Sequence, residues 1–241
     1  MEKYLYEDLY KLEDSHWWHI AKRRPVLEIL QGIKSQTKLK ILDVGCGTGK
    51  NMEMFSKIGE VWGIDNSKDA INFCKKRGLK NLKLATLESN GFEDNQFDIV
   101  TMLDVLEHIE DDFAAIIEVK RILKKGGNII LTVPAYGWLW SKWDEVLHHK
   151  RRYTRQSLVS VFDRAGFKVK KVSYMYSFLV LPVLISRSLK SLFFPNDYGS
   201  DFKLNSGMIN KLFDFLSQLE FKLSNIFTIP FGTSIVCMAN T

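Results

Sequence analysis

The chain has 241 residues, a net charge of +6, and 46% hydrophobic and 12% aromatic residues, which suits one α/β domain with additions and an ample core. Cys46, Cys74 and Cys237 have neither metal nor redox spacing, and their odd number argues against a disulfide framework. With no apolar signal segment at Met1-Glu2-Lys3-Tyr4 and no run of membrane-spanning length, a cytoplasmic setting is expected. The positive balance allows an anionic partner without selecting one, and Lys75-Lys76-Arg77 and Lys124-Lys125 fit solvated helix ends.

Residues 1–38 precede the first strand and are expected to form a helical cap. Tyr4, Leu5, Leu9 and Leu12 have helical spacing, and Val26, Leu27, Ile29 and Leu30 mark a second helix opened by Pro25. Between them, His16-Trp17-Trp18-His19-Ile20-Ala21-Lys22-Arg23-Arg24 is too aromatic and too basic for an ordinary linker. It either staples the helices to the sheet or forms a lid whose Arg23 or Arg24 faces an anionic ligand.

The apolar run ending in Asp43 predicts a buried parallel strand over 39–44, broken by Gly45-Cys46-Gly47-Thr48-Gly49 before a helix near 49–57. Such a turn lets backbone N–H groups approach a ligand, because glycine lacks the Cβ that would hold it away. The glycines do not follow the GxGxxG phosphate fingerprint, and no Lys-Ser/Thr pair follows as in a P-loop. A second strand over 60–65, Val61-Trp62-Gly63-Ile64-Asp65, ends in a carboxylate able to accept both hydroxyls of a ribose. Together these stretches resemble the class I S-adenosylmethionine-dependent methyltransferases, with an NAD-type Rossmann domain as the less favoured alternative.

The resemblance implies that the glycine turn passes under the methionine part of the cofactor and that Asp65 holds its ribose. Cofactor contact is accordingly expected from Asp43, Gly45, Cys46, Gly47, Asp65 and Asn66, and from Arg24 toward the carboxylate. A helix capped by Ser67 runs to about Arg77, and a third strand spans 81–85. The family meets the adenine beyond that strand, commonly through an Asp; here Thr86 and Leu87 occupy the place. The fourth strand, Phe97 to Leu103, ends in a further expected cofactor contact at Leu103.

Asp104, Glu107 and His108 follow at i, i+3 and i+4, a spacing that puts them on one helix face able to hold a hard cation or act as a base. The stretch resembles the Glu-x-x-Glu-His segment of quinone-biosynthesis O-methyltransferases, where it is linked to a divalent metal, with Asp in place of the first Glu. Related Leu-Glu-His triplets occur without a metal, and no metal is favoured here. A helix near 111–123 and a fifth strand over 128–134 come next, joined by Leu123-Lys124-Lys125-Gly126-Gly127 in place of the family's Leu-Lys-Pro-Gly-Gly turn.

Residues 135–153 form a loop-like segment beyond strand five and are the expected acceptor region. Trp138 and Trp143 can stack on a ring, Arg152 and Tyr153 can hold an anionic or polar group, and His148 or His149, with His108, can take a proton. His149-Lys150-Arg151-Arg152-Tyr153-Thr154 resembles a His-x-Arg-Arg-Tyr-Thr run in the type-11-like branch, which is often associated with surface polysaccharide or lipid-linked pathways.

Thr154 caps a helix stopped at Gly166, strand six spans 167–174, and strand seven, 233–239, is expected to insert antiparallel between strands five and six as in the family. Between strands six and seven lies a helical insertion, about 175–230. It carries Phe178 to Ile185, then Arg187, Lys190, Phe193 and Phe194, and a second apolar helix from Ile209 to Leu223. It is expected to pack on the sheet edge, to pair with a second copy, or to touch a membrane or lipid-bearing substrate through residues 175–225.

The expected fold is therefore a doubly wound, mostly parallel seven-stranded sheet, with the cap over 1–38 and the methyltransferase domain over 39–241. The expected activity is methyl transfer from S-adenosylmethionine, leaving S-adenosylhomocysteine, to an oxygen of a small-molecule or lipid- or sugar-linked acceptor. Nucleic acid as acceptor is disfavoured by the absence of an RNA-binding module. A non-catalytic cofactor-binding subunit is the other alternative.

Overall fold

The computed structural model describes residues 3–33, 35–193 and 207–241. Among them seven strands form one sheet: β1 (Leu39–Val44), β2 (Gly59–Asp65), β3 (Leu82–Leu84), β4 (Phe97–Leu103), β5 (Leu123–Pro134), β6 (Lys168–Met175) and β7 (Ser234–Asn240). Their order is β3-β2-β1-β4-β5-β7-β6. The pairings β2–β3, β1–β2, β1–β4 and β4–β5 are parallel. β7 runs antiparallel between β5 and β6, as the resemblance implied.

The helices are α1 (Lys3–Leu12), α2 (Trp17–Gly32), α3 (Lys50–Phe55), α4 (Lys68–Lys76), α5 (Asp112–Ile122), α6 (Lys142–Val146), α7 (Arg155–Arg164), α8 (Val180–Phe193) and α9 (Gly207–Ser224). The central strands read as unbroken apolar runs because both sheet faces are covered. Leu42 and Val100 bury toward α5, whereas Ile41 and Ile99 bury in a second cluster with Val26 and Leu30 of α2.

Four local expectations change. Pro25 lies inside α2 and does not open it: His16 caps the helix by accepting a hydrogen bond from the Trp18 N–H, so the aromatic stretch is its first turn. Asp104 leaves the expected helix face, because its backbone is left-handed at φ +55° and only Leu106–His108 form a short 3-10 turn. β5 begins at Leu123, directly after α5. Residues 135–153 are more ordered than a loop, holding a 3-10 turn at Gly137–Leu139 and then α6. Phe194 and the rest of 194–206 in the insertion lie outside the described residues.

Candidate functional site

The strand order reverses beside β1, which leaves a crevice at the carboxyl ends of the strands. A cavity of about 990 Å³ opens there, bounded by the tips of β1, β2, β4 and β5, by α1 and α2, and by Val183 and Arg187 of α8.

At one side β1 runs into Gly45 and Gly47, at φ +65° and +54°. An L side chain at Gly45 would be strained by that backbone, and its Cβ would meet Val105 Cγ2 at 2.5 Å. Above Gly47 a Cβ would have only the Leu9 side chain of α1 nearby, at 3.9 Å, so this backbone faces the cavity directly. The turn is tied to the N-terminal segment: Thr48 Oγ1 donates to the buried Glu13 carboxylate at 2.7 Å, and Arg77 joins both, its Nε donating to the Thr48 carbonyl at 2.9 Å.

Asp65 ends β2 in the cavity wall. Its Oδ2 accepts from the Gly47 N–H and its Oδ1 from the Ser67 N–H, each at 2.9 Å. Burial pushes its carboxyl up from the ordinary value, and the two N–H donors oppose that shift. Each carboxylate oxygen keeps a lone pair for a further donor, so the group can accept a vicinal diol such as a ribose. Asn66, Thr86 and Leu87 line the wall beyond it.

The tips of β4 and β5 carry ionisable side chains. Asp104 accepts from Thr132 Oγ1 at 3.1 Å and pairs with Lys22 of α2. The 3-10 turn aims Glu107 inward, where it is fully buried and neither carboxylate oxygen accepts a hydrogen bond among the described residues. Burial pushes the Glu107 carboxyl up to about 8, against the opposing pull of Lys22 and Arg152. Burial likewise brings Lys22 down to about 8, opposed by Glu107.

His108 and His149 meet edge to face, ring centres 4.7 Å apart. Burial, and then the neighbouring His149, bring His108 down to about 4, so this imidazole is neutral at pH 7. His149 Nδ1 lies 2.8 Å from Asp144 Oδ1. Asp144 is itself buried and also accepts from Arg152 Nε at 2.7 Å and the Ser141 N–H at 2.8 Å. Burial alone would raise its carboxyl, but His149 and Arg152 hold it well below the usual range. A carboxylate on Nδ1 fixes the ring tautomer and presents Nε2 as the acceptor. The ligating atoms of Glu107, His108 and His149 all lie within 4.8 Å of one another, a donor set that a divalent cation can also use.

Of the residues singled out from sequence, Gly45, Cys46, Gly47, Asp65, Asn66, Thr86, Leu87, Leu103, His108, His148, His149, Trp143 and Arg152 reach this cavity. Asp43, Arg24, Trp138 and Tyr153 do not line it. Asp43 is buried within the sheet, where its Oδ1 accepts from Thr101 Oγ1 at 2.6 Å, and burial raises its carboxyl to about 7. Arg24 points to the opposite side of α2 and pairs with Asp214 at 2.9 Å, while Lys22 and Arg23 turn toward the cavity. Trp138 is exposed and stacks on Tyr136, and the buried Tyr153 donates its hydroxyl to Asp112 Oδ2 at 2.9 Å. Sequence reasoning missed Lys22, Asp144 and the α8 contribution. For Lys22 the available signal was its position two residues before Arg24, which on a helix is the other side.

The methyltransferase domain family matches residues 42–131, from β1 into β5. A demethylmenaquinone methyltransferase of Staphylococcus aureus (strain JH9) is 30% identical over 183 residues, covering 62% of this chain and 75% of the relative. An uncharacterized methyltransferase of Bacillus subtilis (strain 168) is 31% identical over 147 residues, and here the chain spans little more than half of the relative's length, 57%, with 56% of its own. Among solved structures, a SAM-dependent methyltransferase from Archaeoglobus fulgidus superposes with a TM-score of 0.59 at 19% identity, over 92% of each chain.

Proposed function

The chain belongs to the class I S-adenosylmethionine-dependent methyltransferases, and from that premise we propose that it methylates an oxygen of a small-molecule or lipid- or sugar-linked acceptor. The observation that carries this reading is the continuity of one cavity from the glycine turn and Asp65 to the Glu107–His108–His149 group. The donor side fits the cofactor on its own chemistry. The Gly47 backbone lies open to the cavity, Asp65 has lone pairs free for a ribose, and Thr86 and Leu87 provide a wall for the base. When bound there, the cofactor supplies an already electrophilic sulfonium methyl.

The protein's part is then to align the acceptor, keep water out and remove the hydroxyl proton. His149, oriented by Asp144, is the favoured base, and the neutral His108 beside it relays or shares the proton. Trp143 and Arg152 border the acceptor space, with α1 and α2 as its cover. A metal is not favoured in this reading: Lys22, paired with Asp104, already sets a positive charge near Glu107. Should a divalent ion bind, Glu107, His108 and His149 would hold it and it would polarise the acceptor oxygen. The relative named for demethylmenaquinone supports a quinone among the acceptors to be tried. Residues 175–225 are read as the side on which a lipid-bearing acceptor or a second copy is met.

The test is transfer of labelled methyl to a panel of catechols, quinols and lipid-linked sugars. A methyl ether product, lost on His149→Ala with donor affinity retained, is expected. Methyl recovered only on ring carbon, or full turnover by His149→Ala, would remove the reading.

A further inference from the structure

α9 presents large apolar side chains outward as well as inward, where Phe213 packs on Trp17 with ring centres 5.1 Å apart. Polar ties on the side against the protein add to that contact. Asn210 Oδ1 accepts from the Trp17 N–H at 2.8 Å, Asp214 and Ser217 receive Arg24, and Glu220 accepts from the Ser177 N–H at 2.6 Å. The side turned outward bears Met208, Leu212, Phe215, Leu219 and Leu223, between 43% and 84% exposed, and the stripe continues past the helix in Ile226 and Phe227.

The charges are segregated in the same sense. The only carboxylates of α9 are Asp214 and Glu220, both spent on the inner side, whereas Lys211 and Lys222 are exposed beside the apolar stripe. An outward face of large apolar side chains edged by lysines, with no acid, matches a surface that is apolar below and anionic above. No described helix is long and apolar enough to cross a membrane, so the match is to a surface and not to a span.

We propose that the outward face of α9 docks this protein on an anionic lipid bilayer, with Phe215 and its neighbours among the acyl chains and Lys211 and Lys222 at the headgroups. The placement bears on the site. α9 is bolted to α2 through Arg24 and Asp214, and α2 carries Lys22 and Arg23 into the cavity wall. A lipid-borne acceptor would thus be met beside the cavity's cover. The proposal rests on the reading of residues 175–225 given above, but it does not need methyl transfer: it is tested with neither donor nor acceptor present.

The experiment is flotation of the full chain with vesicles of phosphatidylcholine mixed with phosphatidylglycerol, and with vesicles of phosphatidylcholine alone, with light scattering of the free protein alongside. Binding is expected to the anionic vesicles, weakened by salt. It should fall about tenfold on Phe215→Ser and about fivefold on each of Lys211→Glu and Lys222→Glu. All three variants keep wild-type affinity for S-adenosylmethionine, which separates loss of docking from loss of fold and from failure of the methyltransferase reading. Absence of binding to either vesicle overturns the proposal. So does a dimer that Phe215→Ser dissolves while vesicles are ignored, since the face then belongs to a second copy.

Discussion

The tips of β1 and β2 and the tips of β4 and β5 line one cavity, yet they are built by opposite means. The first pair works through backbone: two glycines at positive φ, a carboxylate clamped by two N–H groups, and a turn fastened to Glu13. Asp65 meets the Gly47 and Ser67 N–H groups, and Thr48 meets Glu13. The second pair works through side chains gathered from α2, the turn after β4, and α6 with the residues just beyond it. It keeps a buried, unpartnered carboxylate at Glu107, a neutral imidazole at His108 and a left-handed Asp104. An unsatisfied buried carboxyl costs stability, and perturbed ionisable groups gather at functional sites. The difference teaches that one cavity can join a region fixed by backbone shape to a region tuned by buried ionisable side chains, the first suited to a common donor and the second, in the proposed reading, to the acceptor.

The contrast is sharpened most by His149→Ala. Loss of an oriented base is expected to lower turnover about 100- to 10,000-fold while leaving donor affinity within about twofold, as read by kinetics and calorimetry on the same sample. Gly45→Ala should do the reverse. The strained backbone and the overlap with Val105 are expected to cost about 2–4 kcal/mol of stability, with donor binding weakened in denaturation and titration experiments.

Glu107→Gln probes the cost of the charged side. With its carboxyl raised from 4.5 to about 8, the native state keeps a proton that the unfolded chain has lost. Stability from this group is therefore full below pH 4.5 and declines as pH rises to about 8. Lys22, brought from 10.5 down to about 8, gives the opposite slope above that point. The variant should flatten the decline and be about 1–3 kcal/mol more stable at pH 8, while turnover falls. A wild-type melting temperature that does not decline relative to Glu107→Gln between pH 4.5 and 8 would contradict the raised Glu107 carboxyl. The smallest effect is expected from chelation: dialysis against a chelator should leave turnover unchanged, and restoration by added divalent ion would give Glu107, His108 and His149 a metal.

The same contrast explains what the sequence revealed. The strand–glycine–helix unit and Asp65 are local, so periodicity and glycine spacing placed them, and the alternation of elements placed the sheet. Arg24 went astray because the phase of α2 depends on where the helix starts, and a proline within it disguised the start at Trp17. Asp43 ends an apolar run, but its side chain is directed into the sheet toward Thr101 and away from the cavity. Tyr153 and Trp138 stand out by their place beyond β5 and, for Tyr153, by the His-x-Arg-Arg-Tyr-Thr run, but only tertiary contacts decide that one pairs with Asp112 while the other stands outside. Asp144 carried no signal, since its value lies in meeting His149 and Arg152 after α6 has formed.

The central claim, that the turn after β1 and Asp65 form a cofactor site, is tested most directly by calorimetric titration of S-adenosylmethionine into the wild-type chain and into Asp65→Ala. Micromolar binding, about −8 kcal/mol, reduced at least about tenfold in a variant that stays folded, is the expected result. A folded wild-type chain that binds no S-adenosylmethionine, or an Asp65→Ala variant that binds it equally well, would contradict the account.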